Sequence, residues 1–108
     1  MNQLLCALMM AALAATAQAS GNAEAGKAKA AQVCAACHGP DGNAPSAPDQ
    51  PILAGQYADY LSKALHDYKT GKRSNPIMKG FAAQLSKQDM EDLAAWFSGQ
   101  KSRLHDQR

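Results

Sequence analysis

The sequence Cys34-Ala35-Ala36-Cys37-His38 decides how this chain folds. Two thiols at this spacing, at the end of a helix, can each add across one vinyl group of a porphyrin to form a thioether. The histidine that follows them places an imidazole nitrogen where it can ligate the porphyrin iron. The five residues therefore predict a covalently attached haem c, with Cys34 and Cys37 as the thioether positions and His38 as an axial iron ligand.

A Cys-x-x-Cys pair also occurs in structural zinc sites and in thiol–disulfide exchange. Zinc needs four ligands, and the other thiol and imidazoles of the sequence, Cys6, His66 and His105, form no second pair. An exchange motif is expected after a strand, within alternating strands and helices. Residues 22–33 are instead rich in Ala and Lys and predict a helix, so haem attachment is favoured over both alternatives.

The first nineteen residues contain no Asp, Glu, Lys or Arg, and residues 4–15 form an apolar run. Ala17-Gln18-Ala19 then supplies a small-x-small cleavage site, so we expect a signal peptide over 1–19 and a mature domain over 20–108. A membrane anchor is the alternative, but the run is shorter than the roughly 20 apolar residues that span a bilayer. Because haem is attached to this motif outside the bacterial inner membrane, a periplasmic protein that does not span the membrane after cleavage is expected.

The composition limits the class of protein further. The formal net charge of +2 is too small to predict nucleic-acid binding. A single Cys-x-x-Cys-His motif and the lack of internal repeats predict one haem and one domain. A domain this small is expected to depend on the haem for its core.

Helix signals predict an all-α domain. Capping and Ala-rich sequence predict a first helix over 22–34, and apolar residues at helical spacing predict a second over 56–71. A last helix is predicted after Ser86, which forms a capping box with Asp89, and it ends at Gly99.

Loops and buried faces follow from the same pattern. Turn-forming residues predict loops over 39–50 and 73–76 and a short turn over 79–84, and the polar tail over 100–108 is predicted to fray. One face of the second helix collects Tyr57, Tyr60, Leu61, Ala64, Leu65 and Tyr68 at helical spacing. The last helix is expected to bury a stripe made of Met90, Leu93, Ala94 and Phe97.

The iron needs a second axial ligand, and the candidates are Met78, Met90, His66 and His105. Met90 belongs to the buried face of the last helix, His66 lies off the apolar face of the second, and His105 is in the tail. Met78 lies in the predicted loop after Asn75-Pro76-Ile77, from which it can reach the distal side of the haem. Met78 is therefore the predicted ligand.

These residues together resemble the class I c-type cytochromes, and most of all the small periplasmic monohaem carriers and single halves of the two-domain dihaem carriers. The resemblance covers nearly all of residues 20–108. It rests on Gly26, Cys34-Ala35-Ala36-Cys37-His38-Gly39, Asp41-Gly42-Asn43, Pro51-Ile52-Leu53-Ala54-Gly55-Gln56, Tyr57, Tyr60, Leu61, Gly71-Lys72-Arg73-Ser74-Asn75-Pro76-Ile77-Met78, Leu85-Ser86 and Leu93-Ala94-Ala95-Trp96-Phe97.

The resemblance implies the class I cytochrome c fold, in which three to five short helices and long loops wrap around one haem. It also implies that Met78 is the distal ligand. The proline at position 51 is expected to offer its backbone carbonyl to the second ring nitrogen of His38, which fixes the imidazole.

The same resemblance implies that the first and last helices cross closely. Gly26 would permit the approach, with Trp96 or Phe97 packing over it. The sequence departs from the family in lacking the aromatic residue that is often found in the first helix. The small Ala30 predicts a looser contact there.

Coordination by histidine and methionine raises the reduction potential and leaves no open axial position for oxygen or peroxide. The predicted function is therefore a soluble periplasmic electron carrier of a respiratory chain, and not an enzyme. Two alternatives stay open: a haem domain whose methionine dissociates, giving a peroxidase or gas sensor, and a dedicated electron-transfer subunit of a larger oxidoreductase complex. The expected partners are redox proteins with acidic docking surfaces, because the stretch 69–79, which leads into the Met78 loop, carries four cations and no acidic residue. Its cations are Lys69, Lys72, Arg73 and Lys79. A solvated helix end with ordinary surface lysines is the alternative.

Overall fold

The computed structural model describes residues 21–104, which form five helices. In chain order these are α1 (Ala23–Val33), α2 (Ala35–His38), α3 (Ala58–Thr70), α4 (Pro76–Ala82) and α5 (Lys87–Ser98). No strand occurs within 21–104, so the all-α prediction is confirmed for that range. The predicted signal peptide, residues 1–19, and the last four residues of the predicted tail lie outside the described residues.

Across residues 21–104, no helix combines the length and the apolar character that a membrane crossing requires.

Two helices begin at the side-chain caps that the sequence predicts, and α3 ends at the predicted glycine. The Asn22 side chain accepts a hydrogen bond of 3.0 Å from the backbone N–H of Ala25. At the start of α5, Asp89 N donates to Ser86 Oγ at 3.0 Å and Ser86 N donates to Asp89 Oδ2 at 2.9 Å, which is the expected capping box. Gly71 ends α3 in the left-handed conformation, at φ 88°.

Helix α4 corrects the prediction for this part of the chain. The sequence predicted a loop containing Met78 and a short turn over 79–84, whereas Met78 lies in the first turn of a seven-residue helix, Pro76–Ala82. The Asn75 side chain accepts hydrogen bonds of 3.0 and 3.1 Å from two backbone N–H groups of that turn. The proline after Asn75 has a φ suited to the first helical position, so Asn-Pro starts a helix here instead of a turn.

Helices α1 and α5 cross at Gly26 with their backbones in direct contact. A Cβ atom at position 26 would lie 1.9 Å from the backbone oxygen of Asp92 and 2.9 Å from Trp96 Cβ, so only glycine fits. The close crossing is therefore confirmed, with Trp96 as the aromatic residue over Gly26. Ala30, one turn further along α1, is completely buried in the core, and the predicted looser contact leaves no exposed gap there.

The hydrophobic core is built by α1, α3 and α5 together with the segment between α4 and α5. Its buried members are Ala30, Leu61, Leu85, Met90, Leu93, Ala94 and Phe97. The predicted buried face of the last helix is thus confirmed in full. In α3 only Leu61 is buried, whereas Tyr60 is 48% exposed and Tyr57, the residue before the helix, is 58% exposed. The face of α3 that includes Tyr60 borders a cavity as well as the core, which explains the exposure of Tyr60. Tyr57 does not line that cavity and precedes the helix.

The described part of the predicted tail is held against the loop that follows α2. The Asn43 side chain donates to the carbonyl of Lys101 at 2.9 Å and accepts from the backbone N–H of Arg103 at 2.7 Å. These two contacts, made by one amide side chain that both donates and accepts, hold residues 101–103 against the loop. The fraying of the tail stays a prediction.

Candidate haem site

A cavity of about 520 Å³ lies between α2, α3, α4 and α5. Its volume falls in the range of roughly 300–1,000 Å³ that is usual for small-molecule and cofactor sites. Cys34, Cys37, His38 and Met78 all line it. Most of the remaining wall is apolar, and its apolar side chains include Leu53, Leu61, Leu65, Leu85, Leu93 and Phe97.

His38 is buried and its ring is held by a backbone carbonyl. It is only 6% exposed, and its Nδ1 atom lies 2.9 Å from the carbonyl oxygen of Pro51. A carbonyl can only accept, so Nδ1 carries the proton and donates it, which leaves the lone pair on Nε2. The contact that the family resemblance implied is present, and it prepares Nε2 to ligate a metal.

The loop after the motif folds back onto the motif backbone. Ala44 N donates to the carbonyl of His38 at 3.1 Å, and Ser46 N donates to the carbonyl of Cys37 at 3.0 Å. Gly39, which begins the loop, has φ 84°, a conformation that side chains other than glycine rarely adopt. His38 is therefore held at its ring by Pro51 and at its backbone by the loop.

The two cysteines are half-buried and are not joined by a disulfide bond. Burial raises the pKa of the Cys34 thiol to about 11. Exchange cysteines need the opposite shift, toward a stable thiolate, so this thiol does not suit disulfide chemistry. Among residues 21–104, no three His, Cys, Asp or Glu side chains are arranged to hold a metal ion by themselves, which disfavours a zinc site.

The structure separates the four candidates for the second axial ligand. Met78 is half-buried and lines the cavity. Met90 is 3% exposed and belongs to the core cluster, and His66 is exposed on α3 away from the cavity wall. His105 lies outside the described residues. Of the three described candidates, only Met78 shares a cavity with His38.

The structure gives Arg73 a different place from the one that the sequence predicts. The sequence predicts that Arg73 belongs to a basic docking stretch, whereas in the structure it lines the cavity. Its Nη1 atom lies 3.3 Å from the Tyr60 hydroxyl, and its guanidinium carbon lies 4.8 Å from the centre of the Tyr68 ring. The spacing of the two tyrosines in the sequence could have indicated these contacts. Tyr60 and Tyr68 share one face of α3, and Arg73 follows three residues after the end of that helix.

The residues of this cavity fit a haem. Two thiols and an imidazole from the five residues 34–38 line the cavity together with the thioether of Met78, and apolar side chains cover most of the rest. Thiols, imidazole and thioether are the groups by which c-type haem is attached and ligated. An apolar wall suits a flat macrocycle that is itself largely apolar.

A helical domain with a Cys-x-x-Cys-His helix end facing such a cavity defines a c-type haem domain. Comparison with known proteins agrees, because the family model described as Cytochrome c matches residues 23–101. The chain belongs to the cytochrome c family, and its cofactor is one haem c with its iron.

Three relatives illustrate the match. Cytochrome c4 of Pseudomonas aeruginosa is 53% identical over 102 residues, which is 94% of this chain and 50% of that protein. A protein of Stutzerimonas stutzeri named thiosulfate dehydrogenase electron acceptor is 46% identical over 72 residues, covering 67% of this chain and 33% of that protein. The crystal structure of reduced recombinant cytochrome c4 from Pseudomonas stutzeri superposes with a TM-score of 0.70 at 49% identity, over 77% of this chain and 47% of that one.

The chain spans about half the length of the cytochrome c4 relatives that it matches. The fold that these comparisons support is the class I cytochrome c fold, and the five helices agree with the three to five that were predicted.

Proposed function

We propose that this chain is a one-electron carrier whose haem is attached through Cys34 and Cys37 and ligated by His38 and Met78. The observation that carries the proposal is that all four side chains line one cavity, where Pro51 orients the imidazole. A bound haem supplies the Fe(III)/Fe(II) couple. The identity with cytochrome c4 supports an electron-transfer role.

The ligand pair explains why the chain would carry electrons and not catalyse a reaction. A thioether sulfur is a soft, neutral ligand that favours ferrous iron, so it raises the reduction potential relative to a second histidine. His38 and Met78 would both hold the haem iron, and an iron held by two side chains would not offer a site to oxygen or peroxide. The chain is therefore proposed to be a carrier and not an enzyme.

The ligand assignment is tested by comparing two methionines. Met78→Ala should lower the midpoint potential and allow added cyanide or carbon monoxide to bind readily, because the sixth position opens. Met90→Leu is the matched control: Met90 is buried in the core and does not line the cavity, so its replacement should leave the absorption spectrum unchanged. Such a volume-conserving core swap costs under about 1.5 kcal/mol. If Met90→Leu changed the spectrum and Met78→Ala did not, the assignment would be wrong.

A dedicated electron-transfer subunit is the second candidate. The observation in its favour is that one relative is named for accepting electrons from thiosulfate dehydrogenase. A dedicated subunit should copurify with its enzyme, whereas a shuttle should exchange electrons with several partners as a free protein. A peroxidase or gas sensor is distinguished spectroscopically, because a dissociable methionine would give high-spin bands in the resting oxidised protein.

We further propose that the chain is exported to the periplasm and cleaved before Ser20. The support is the uncharged, apolar composition of residues 1–19 and the Ala17-Gln18-Ala19 site. N-terminal sequencing of holoprotein from a periplasmic extract should find a start near Ser20. Holoprotein that stayed in the membrane fraction with residues 1–19 attached would instead favour the anchor.

Acidic redox proteins are the proposed partners. The structure narrows the basic stretch that would meet them, because the Lys69 ammonium donates to the carbonyl of Leu85 and Arg73 is turned toward the cavity. All four cations of the stretch are exposed, so Lys72 and Lys79 are set apart by these contacts of Lys69 and Arg73 and not by exposure. Charges of this kind raise the encounter rate with an acidic partner without making the complex long-lived.

A further inference from the structure

Arg73 stands out among the cavity residues because of its charge. Among the described residues that line the cavity it is the only Lys or Arg, and Asp49 is the only carboxylate. Ser74 and Asn75, which follow Arg73 in the chain, also line the cavity, so this segment adds a cation and polar groups to a mostly apolar lining. Lys69, Lys72 and Lys79, the other cations of the basic stretch, do not line it.

The guanidinium of Arg73 is held in place by α3. Its Nη1 donates to the Tyr60 hydroxyl at 3.3 Å, and the group lies over the Tyr68 ring at 4.8 Å from the centre. The Arg73 backbone N–H donates to the carbonyl of Asp67 at 3.0 Å, which fixes the start of the side chain. Only one of the five N–H donors is used by Tyr60, so the planar group keeps donors for an anion.

Haem has one chemical feature that an apolar wall cannot satisfy, namely its two propionate carboxylates. A carboxylate that leaves water is costly unless a cation or hydrogen-bond donors meet it. Arginine is the side chain best suited to this, because its fork binds a carboxylate through two parallel hydrogen bonds.

We propose that Arg73 binds a haem propionate, with Tyr60 and Tyr68 holding its guanidinium in position. The proposal rests on the haem site proposed above, and it moves Arg73 from the docking surface to the cofactor. A cation beside the haem stabilises the reduced state, which carries one more negative charge, so Arg73 would raise the midpoint potential. Because Arg73 is exposed to solvent, this effect should be largest at low ionic strength.

The experiment compares three holoprotein variants by voltammetry at low ionic strength. Arg73→Leu should lower the midpoint potential, and Arg73→Lys should recover part of the loss, because it keeps the charge but not the fork. Lys72→Leu is the matched control, since it removes a neighbouring charge that does not line the cavity, and it should shift the potential much less. A tenfold change in the reduction equilibrium corresponds to about 59 mV for one electron.

Infrared redox difference spectra of haem labelled with ¹³C in the propionates give a direct readout. The labelled carboxylate band should move in Arg73→Leu and stay in place in Lys72→Leu. The proposal is overturned if Arg73→Leu shifts neither the band nor the potential by more than the control does.

A further variant covers the case in which Arg73→Leu yields no holoprotein. Tyr60→Phe removes the hydroxyl that holds Nη1 and keeps every charge, so it should move the same band in the same direction by a smaller amount. An unmoved band in both Tyr60→Phe and Arg73→Lys would overturn the proposal. These results are separable from the proposed function, because the loss of a reversible one-electron couple in the wild-type holoprotein would refute the carrier role itself.

Discussion

Replacing Gly26 by alanine tests the packing that positions the whole site. Gly26 lies inside α1, where alanine is normally the better helix former by about 0.5–1 kcal/mol. Here a Cβ atom would lie 1.9 Å from the backbone oxygen of Asp92 and 2.5 Å from its backbone carbon. Because these are backbone atoms of α5, no side-chain rotation can relieve the clash, and the two helices must move apart.

The expected magnitude follows from these opposing effects. Overpacking a well-packed contact costs typically about 1–3 kcal/mol, and a clash with backbone belongs at the upper end of that range. After subtraction of the helix-propensity gain, Gly26→Ala should destabilise the holoprotein by about 2 kcal/mol. For a domain of this size that lowers the melting temperature by about 8–16 °C.

Gly80→Ala is the matched control. Gly80 also lies inside a helix, α4, but a Cβ atom there would meet no other atom within 4 Å. The same chemical change should therefore stabilise the protein by about 0.5–1 kcal/mol. Thermal and denaturant unfolding of the two holoproteins, followed by helix content, would measure both effects. A Gly26→Ala protein as stable as the wild type would refute the close crossing of α1 and α5.

Three other predictions concern the attachment site, the capping box and the surface charge. Cys34→Ala or Cys37→Ala should remove one thioether and sharply cut the holoprotein yield, which acid–acetone extraction and mass spectrometry would show. Asp89→Ala should cost about 0.5–1 kcal/mol at pH 7, a modest value because solvent screens the group. Lys72→Glu should slow electron transfer to an acidic redox protein at low salt, and the difference should fade as the Debye length drops to about 10 Å near 0.1 M salt.

The Asp89 prediction has a defined dependence on pH. Chiefly the hydrogen bond from Ser86 N, and secondarily the Ser86 side chain and Lys29, lower the pKa of Asp89 from its usual value. A carboxylate whose pKa is lowered by folding stabilises the protein fully above its unfolded pKa of about 3.9, and the effect is lost as pH falls through the folded value. Wild type and Asp89→Ala should thus differ at neutral pH and converge in acid, and an equal gap at both would contradict the capping role.

The predictions for the cysteine variants and for Lys72→Glu can each be contradicted by a defined result. A full complement of haem resistant to extraction in either cysteine variant would show that attachment does not need both thiols. For Lys72→Glu, the absorption spectrum should be unchanged, which separates docking from damage to the site. A rate that responded neither to salt nor to the charge reversal would leave Lys72 as ordinary surface.

The helices could be predicted from the sequence wherever the signal was local. Asn22, the Ser86–Asp89 pair and Gly71 act through hydrogen bonds or backbone conformation within a few residues, and each stands where it was expected. The start of α4 was missed because Asn-Pro is equally at home in a turn and at a helix start. A turn and a helix start are distinguished by whether the residues after the proline continue the helix. Here the helix is only seven residues long, Pro76–Ala82.

The site could be predicted in part, for the same reason. The five residues 34–38 are contiguous, so their chemistry is visible in the sequence, and the partner of His38 followed from the family resemblance. The role of Arg73 depends on contacts with Tyr60 and Tyr68, which come together only when α3 has formed and the chain has turned at Gly71. The tether at Asn43 joins positions 58 and 60 residues apart, and no local pattern marks such a contact.

The crossing of α1 and α5 is structurally coupled to the haem site, because the same two helices form the crossing and border the cavity. Helix α1 leads directly into Cys34, and α5 supplies Leu93, Ala94 and Phe97 to the core and to the cavity wall alike. The contact at Gly26 therefore helps to fix how far residues 34–38 lie from the side chains of α5 that line the cavity.

Helix α4 is held differently. Ala82 is its one buried residue within the described structure, and the Asn75 cap fixes its first turn. The site therefore combines a rigid side, where His38 is held at ring and backbone, with a more lightly packed side that presents Met78. For the proposed carrier, we therefore expect substitutions at the exposed positions of α4 to alter the position of Met78 more than they alter the packing around His38.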